Sequence, residues 1–161
     1  MKSIRLPAAA SSYICHIFIQ DSTSAVGEGK PGLLFSDVTG YYMRAGASVA
    51  VAMTMVTITT LGTYAPDTDA KCGFKLVDDT NMPGLYEIHV PNNCLKTGAD
   101  AVVLEIKGTG IVPTLLEIQL STIPADARAV GGTSQTAGDL AALINTVKAK
   151  TDMFPDVWYS P

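Results

Sequence analysis

The hydrophobic pattern of the first 120 residues predicts β-strands. Short runs of β-branched and aromatic residues alternate there with clusters of Gly, Pro, Asn and Asp. β-Branched side chains lose rotamer freedom in helices and pack well in strands, and the clusters between the runs are typical of turns. About seven strands are predicted: 13–20, 38–44, 49–61, 72–77, 85–90, 101–107 and 113–120. The run 49–61 is long for one strand, so a bend or bulge is expected within it.

Alternation within these strands predicts which side chains face the core. In 85–90 it directs Glu87 and His89 to solvent. Residues 13–20 are apolar on both faces, which predicts an interior strand with a hydrogen-bonded His16. Val103 and Leu115 occupy outward positions and are candidates for a contact patch.

Short connections between the strands, with no amphipathic helix among them, favour an all-β fold. The economical arrangement is an immunoglobulin-like antiparallel β-sandwich of about seven strands, spanning residues 1–122. The Cys–Trp–Cys signature of true immunoglobulin domains is absent because Trp158 is the only Trp. The sandwich is therefore an architectural prediction only.

The pattern changes after residue 122. Residues 123–133 are rich in Ala and Gly and predict a linker. Residues 134–151 predict a short amphipathic helix. Four apolar residues at helical spacing are the candidate oligomer interface: Leu140, Leu143, Ile144 and Val147. The helix spans about two heptads and would be marginal alone, so its apolar stripe is expected to pack against equivalent helices of other subunits.

Residues 152–161 form an aromatic tail with two prolines, which suggests docking on a partner or continuation into a further segment. The candidate docking residues outside the helix are Phe154, Trp158, Tyr159, Val103 and Leu115.

Composition limits the possible partners. Hydrophobic residues make up 47% of the chain and charged residues 16%, which excludes intrinsic disorder. Eleven Lys and Arg against 15 Asp and Glu give a net charge of −4, so nucleic acid is not an expected partner. Mean hydropathy is +0.26, which fits either a Thr- and Ser-rich β surface or a surface covered by copies or partners. No run is long enough for a membrane helix, and no signal peptide is expected.

No catalytic or metal motif emerges from the sequence, so no cofactor, metal or enzymatic activity is expected. Cys15, Cys72 and Cys94 are odd in number and widely spaced, which favours reduced, buried thiols. Gly27–Pro31 departs from the phosphate-loop pattern at both ends. The acidic stretch 78–81, with Asp67 and Asp69 upstream, offers oxygen ligands but matches no calcium-loop template.

Several segments together resemble a module of tailed-bacteriophage and prophage structural proteins, associated with tail fibres or baseplates. The most specific are Val38-Thr39-Gly40-Tyr41-Tyr42 and the expected turn Asn81-Met82-Pro83-Gly84. The opening strand at 4–7, the segments 95–99 and 116–120, and the Gly-Gly-Thr stretch before the helix are also similar. The resemblance covers about residues 1–122 and continues into the linker and helix.

This resemblance implies a non-enzymatic virion protein, assembled in the host cytoplasm, whose β-module anchors a tail fibre or baseplate. Its expected partners are itself, as a homotrimer, and other virion proteins of tail, baseplate or capsid. A capsid decoration or head-fibre protein is one alternative. A sandwich that binds host glycans is another, with Tyr64 and one of Tyr41 and Tyr42 as candidate aromatic platforms.

Overall fold

The chain divides into two compact units, Met1–Thr122 and Ile123–Pro161. A computed structural model describes residues 2–121, 129–130, 133–134 and 137–151, with helix side chains for residues 141–148. The prediction of a β-rich chain with a short C-terminal helix is confirmed. The predicted tail, with Phe154, Trp158 and Tyr159, lies outside the described residues.

The first unit holds eight strands and the described part of the second holds two very short strands and a helix. The elements are β1 (Lys2–Pro7), β2 (Ile14–Phe18), β3 (Val38–Arg44), β4 (Val51–Thr57), β5 (Lys71–Asp78), β6 (Met82–His89), β7 (Ala101–Gly108), β8 (Thr114–Ser121), β9 (Ala129–Val130), β10 (Thr133–Ser134) and α1 (Ala137–Thr151). Short 3₁₀ turns lie at Phe35–Asp37 and Asn92–Leu95. β9 lies inside the predicted linker and pairs with β10, which spans the boundary between the predicted linker and the predicted helix.

The eight strands of the first unit form one hydrogen-bonded sheet in the order β1-β8-β7-β3-β4-β5-β6-β2. The sheet curls into a half-barrel, and two separate sheets of an immunoglobulin-like sandwich are not confirmed. The expectation of purely antiparallel pairing is wrong, because β1 runs parallel to β8 and β4 runs parallel to β5. β1 and β8 come from opposite ends of the first unit, and β4 and β5 are joined by a long connection. Local sequence pattern does not reveal such pairings.

Strand β4 is the corner of the sheet. Its first half pairs with β3, where Val51 lies opposite Tyr42. Its second half pairs with β5, where Thr54 lies opposite Lys71. The strand covers only Val51–Thr57 of the predicted run 49–61, and the rest of that run continues into the loop toward β5.

Inward-facing side chains of the whole sheet pack into a single hydrophobic cluster. β7 and β8 contribute their even-numbered residues, as their alternation predicts: Val102, Leu104, Ile106, Leu116, Ile118 and Leu120. From the other half of the sheet, the Phe74 and Tyr86 rings stack with centroids 4.7 Å apart. Each such buried side chain contributes about 1.5–3 kcal/mol, so this cluster is the main source of the unit's stability.

The turn between β5 and β6 differs from the expected one at 81–84. Asp78 accepts hydrogen bonds from the backbone N–H groups of Thr80 and Asn81, each at 2.9 Å, which places the turn at 79–81. Gly84 instead lies within β6 at a φ of +83°, with its Cα against the backbone of Gly29. A side chain has no room at that position.

Candidate functional site

A glutamate with two histidines around it lies on the outer face of the sheet. Neighbouring strands β2, β6 and β5 place His16, Glu87 and Lys75 in one cross-strand row. The Glu87 side chain is 3% exposed and His89, two residues along β6, is fully buried. The predictions for both histidines are wrong, because His16 is 48% exposed and the expected solvent-facing His89 is in the interior.

Alternation fails for His89 because another segment of the chain covers the outer face of β6, which a local pattern cannot reveal. The segment between β4 and β5 folds back over the outer face of β6. Its Gly62 N–H donates to both Glu87 carboxylate oxygens, at 2.9 and 3.0 Å, and its Tyr64 ring stacks on His89 with centroids 5.2 Å apart. Residues 86–89 of β6 are therefore buried on both faces, with the Glu87 and His89 side chains beneath the cover segment.

The hydrogen bonds assign the state of His89. Its Nε2 lies 3.0 Å from Glu87 Oε1, and its Nδ1 accepts the backbone N–H of Ala65 at 3.3 Å. An acceptor at Nδ1 requires the neutral tautomer with its proton on Nε2, which then donates to Glu87. His16 Nε2 approaches the other carboxylate oxygen at 3.5 Å. Gly73 on β5 lies against the His89 ring, where a Cβ would meet it at 2.8 Å.

This group, His16, Glu87, His89 and the cover segment, is a structural clasp. The buried carboxylate is held by donors. Burial raises the pKa of the Cys15 thiol, next to His16 in the chain, to about 12, which keeps it protonated. Among the described residues, no three His, Cys, Asp or Glu side chains converge as metal ligands. The contacts of the clasp hold the cover segment to the sheet.

The helix α1 carries the apolar stripe that its spacing predicts. Leu143, Ile144 and Val147 are 58%, 59% and 59% exposed. The side chain of Leu140, the fourth predicted interface residue, lies outside the described residues. The helix begins at Ala137 rather than at the predicted residue 134, which belongs to β10.

Val103 and Leu115 both lie on the outer face of the sheet. Val103 is opposite Glu117 and Leu115 is opposite Glu105, which makes the two apolar residues diagonal neighbours on paired strands β7 and β8. Leu115 is 42% exposed, whereas Val103 is half-buried. Leu115 also borders a groove of about 380 Å³ between β2 and the start of β8, together with Phe18 and Val112.

A second concave region is polar. It encloses about 520 Å³ and lies near the end of β3, against the loop that follows β1. Its polar lining residues are Ser11, Arg44, Asp69, Asn92, Lys96 and Thr97. Nothing in the sequence pattern indicates it, because its residues come from four separate parts of the chain.

The acidic residues considered for calcium are used in local structure. Asp78 accepts hydrogen bonds from the turn described above and from the Asn81 side-chain amide at 2.8 Å. Asp67 pairs with Lys71 at 2.6 Å, and this hydrogen bond lowers the Asp67 pKa. Hydrogen-bond donors of the chain thus satisfy the Asp78 and Asp67 carboxylates.

The three cysteines are free and buried, in the interior of the first unit. Burial raises the pKa of Cys94 to about 12 and raises that of Cys72 further. Their thiols are therefore protonated at neutral pH and inert toward soluble electrophiles.

No protein-family model matches the chain, and no curated protein or solved structure is similar to it at a significant level. In the part of the chain that the structure describes, no helix is long and apolar enough to cross a membrane.

Proposed function

We propose that the chain is a non-enzymatic structural protein of a tailed-phage virion, assembled in the host cytoplasm. In this proposal the first unit anchors on the tail or baseplate and α1 self-associates, as a homotrimer, to begin a fibre. The proposed self-association rests on the exposure of Leu143 and Ile144 on a short helix. Two large apolar side chains next to each other on a marginal helix favour burial against an equivalent surface.

An anchoring role fits the first unit because it is compact and has a hydrophobic core of its own. Its inward side chains form one cluster, and the clasp at Glu87 ties the long segment before β5 to the sheet. We also propose that the half-barrel is a variant of the immunoglobulin-like sandwich. Strand β4 changes partners midway, so β1-β8-β7-β3 and β5-β6-β2 are two halves that meet through a shared corner strand.

The virion assignment itself rests on the sequence resemblance in 32–47 and 79–86, together with the low content of charged residues, 16%. A module that is covered by neighbours in a particle needs fewer surface charges than a free monomer. Purified particles from an infected or induced host test this directly by mass spectrometry. Peptides from the chain should band with intact particles in a density gradient, and their restriction to the soluble fraction would contradict the proposal.

Self-association is tested on the full chain by light scattering coupled to size-exclusion chromatography. The double variant Leu143→Asn/Ile144→Asn should convert a trimer to a monomer. The matched control is Ala142→Asn, since position 142 lies on the opposite side of the helix. A monomer for the unaltered chain at tens of micromolar, or equal dissociation by the control, would exclude the helix as the interface.

A further inference from the structure

We propose that the polar cavity around Arg44 is a binding site for a carboxylated sugar of the uronic acid class. The cavity shares Asp69 with the cover segment of the clasp but contains none of His16, Glu87 and His89. The inference is independent of the proposed virion role. It rests on the donors that the cavity leaves unused, on the charge balance of its lining, and on the conformation of the loop that forms its wall.

Arg44 is fixed in place with spare hydrogen-bonding capacity. Its Nη2 donates to the backbone carbonyls of Lys96 and Thr97, at 2.5 and 2.6 Å. Among the described residues, the buried Nε has no hydrogen-bond partner and none accepts from Nη1. A guanidinium has five N–H groups, so the two on Nη1 remain for an acceptor in the cavity. A carboxylate oxygen is a strong acceptor for such a cationic N–H donor, because the hydrogen bond is charge-assisted.

The lining is locally cationic although the chain is acidic. Arg44 and Lys96 contribute two positive charges, against the single carboxylate of Asp69. The Lys96 ammonium is 58% exposed and lies 3.7 Å from Asp69, a loose ion pair that costs little to rearrange. A ligand carboxylate between Arg44 and Lys96 would therefore enter a site with one uncompensated positive charge.

The remaining polar groups of the cavity lining can form hydrogen bonds with the hydroxyl groups of a ligand. Ser11 and Thr97 offer side-chain hydroxyls that can donate or accept, and Asp69 keeps acceptor capacity beyond its bond from Asn92 at 3.3 Å. An acidic peptide side chain would use only the cationic half of this lining. A uronate would use both halves, because it carries a carboxylate and several hydroxyls on one ring. The cavity volume of about 520 Å³ lies within the range of small-molecule sites.

The loop after β1, which lines part of the cavity, is held in an unusual conformation. Ala9 and Ser12 adopt φ values of +63° and +55°, which are uncommon for residues with side chains. Hydrogen bonds maintain this shape, from Ala9 N–H to the Leu95 carbonyl at 2.8 Å and from Ser12 N–H to Asn92 Oδ1 at 2.9 Å. Such strain persists where surrounding contacts over-determine it, and it gives the cavity a preformed wall.

The test is titration of the full, ¹⁵N-labelled chain with sodium glucuronate, glucose and sodium acetate, followed by NMR amide shifts. Glucuronate should shift the amides of Ser11, Lys96 and Thr97 and bind about tenfold or more tightly than either other compound, because only glucuronate engages both halves of the lining. No shift at these amides with glucuronate would overturn the proposal. Equal binding of acetate and glucuronate would also overturn it, since the site would then recognise a carboxylate alone.

The decisive variant is Lys96→Gln, because Arg44 also holds the 96–97 backbone and its replacement would disturb the fold. Glucuronate should bind about tenfold more weakly to Lys96→Gln, while its amide spectrum stays folded. The matched control is Lys107→Gln, an exposed lysine outside the cavity that pairs with Glu105 at 3.4 Å. Equal weakening by both variants would show general charge attraction and remove the assigned site.

Discussion

The backbone N–H of Gly62 points between the two carboxylate oxygens of Glu87, at 2.9 and 3.0 Å from them. This contact joins the loop after β4 to the middle of β6, across 25 residues of sequence. Since His89 Nε2 donates to the same carboxylate, the loop and the interior histidine share one acceptor. The stability of the outer face of β6 therefore depends strongly on this acceptor.

Replacing Glu87 with Ala should destabilise the first unit by about 2–4 kcal/mol. The change leaves the buried His89 Nε2–H and the Gly62 N–H without an acceptor, and orphaned buried donors are costly. Urea unfolding followed by circular dichroism measures the loss. Glu105→Ala is the control, because Glu105 pairs with Lys107 on the surface and should change stability by less than about 1 kcal/mol. A similar cost for both variants would show that the clasp contributes nothing specific.

Gly73→Ala should destabilise the chain by about 1–3 kcal/mol through overpacking. The new Cβ would lie 2.8 Å from the buried His89 ring, which Glu87 and Ala65 hold on both sides. Gly40→Ala, on β3, is the matched control, since its Cβ would meet the ends of flexible side chains, Met53 Cε at 2.7 Å and Met55 Sδ at 2.9 Å. Thermal unfolding should show a larger loss for Gly73→Ala. The reverse order would mean that the His89 ring moves more easily than the Met53 methyl.

The chain should lose stability in acid as the Asp21 carboxylate becomes protonated. Hydrogen bonds from Lys30 and Thr23 hold the Asp21 pKa well below its usual range. A carboxyl group with a lowered pKa in the folded state stabilises that state above the unfolded pKa of about 4, and the contribution is lost as pH falls through the folded pKa. The melting temperature of Asp21→Asn should therefore be lower than that of the unaltered chain at pH 7.

The difference between the two melting temperatures should shrink as the pH falls below about 4. The control variant is Asp100→Asn, whose exposed side chain has no hydrogen bond to another described residue. Its melting temperature should follow that of the unaltered chain at each pH. A constant difference for Asp21→Asn from pH 7 to pH 2 would contradict the role of the Asp21–Lys30 pair.

The three cysteines should resist alkylation in the folded chain. Burial raises the pKa of Cys15 and of Cys94 to about 12, and a protonated, inaccessible thiol is a poor nucleophile. Iodoacetamide at pH 8, followed by mass spectrometry, should add no label to the native chain and three labels in denaturant. Rapid labelling of a single cysteine without denaturant would show a local opening of the core.

The parts of the fold that the sequence predicts are those that local periodicity controls. The alternation of β7 and β8 identifies their inward residues, because every second side chain of a strand faces the same side. The short helix is likewise visible from the spacing of Leu143, Ile144 and Val147. For these strands and for the helix, the residues that reveal the element lie within one continuous segment of the chain.

Long-range packing decides the rest. Glu87 and His89 have the pattern of surface residues, yet they are buried because a loop from elsewhere in the chain covers them. His16 has the pattern of an interior residue, yet β2 is the last strand of the sheet and leaves it half-exposed.

The cavity around Arg44 is also absent from any local pattern, since segments 9–11, 44, 69 and 92–97 meet only in the folded chain. The amino-acid sequence alone therefore determines the type of each element and the inward face of the regular strands. The tertiary structure decides which outer faces are covered and which polar groups converge, because burial depends on what packs on a residue and not on its neighbours in the chain.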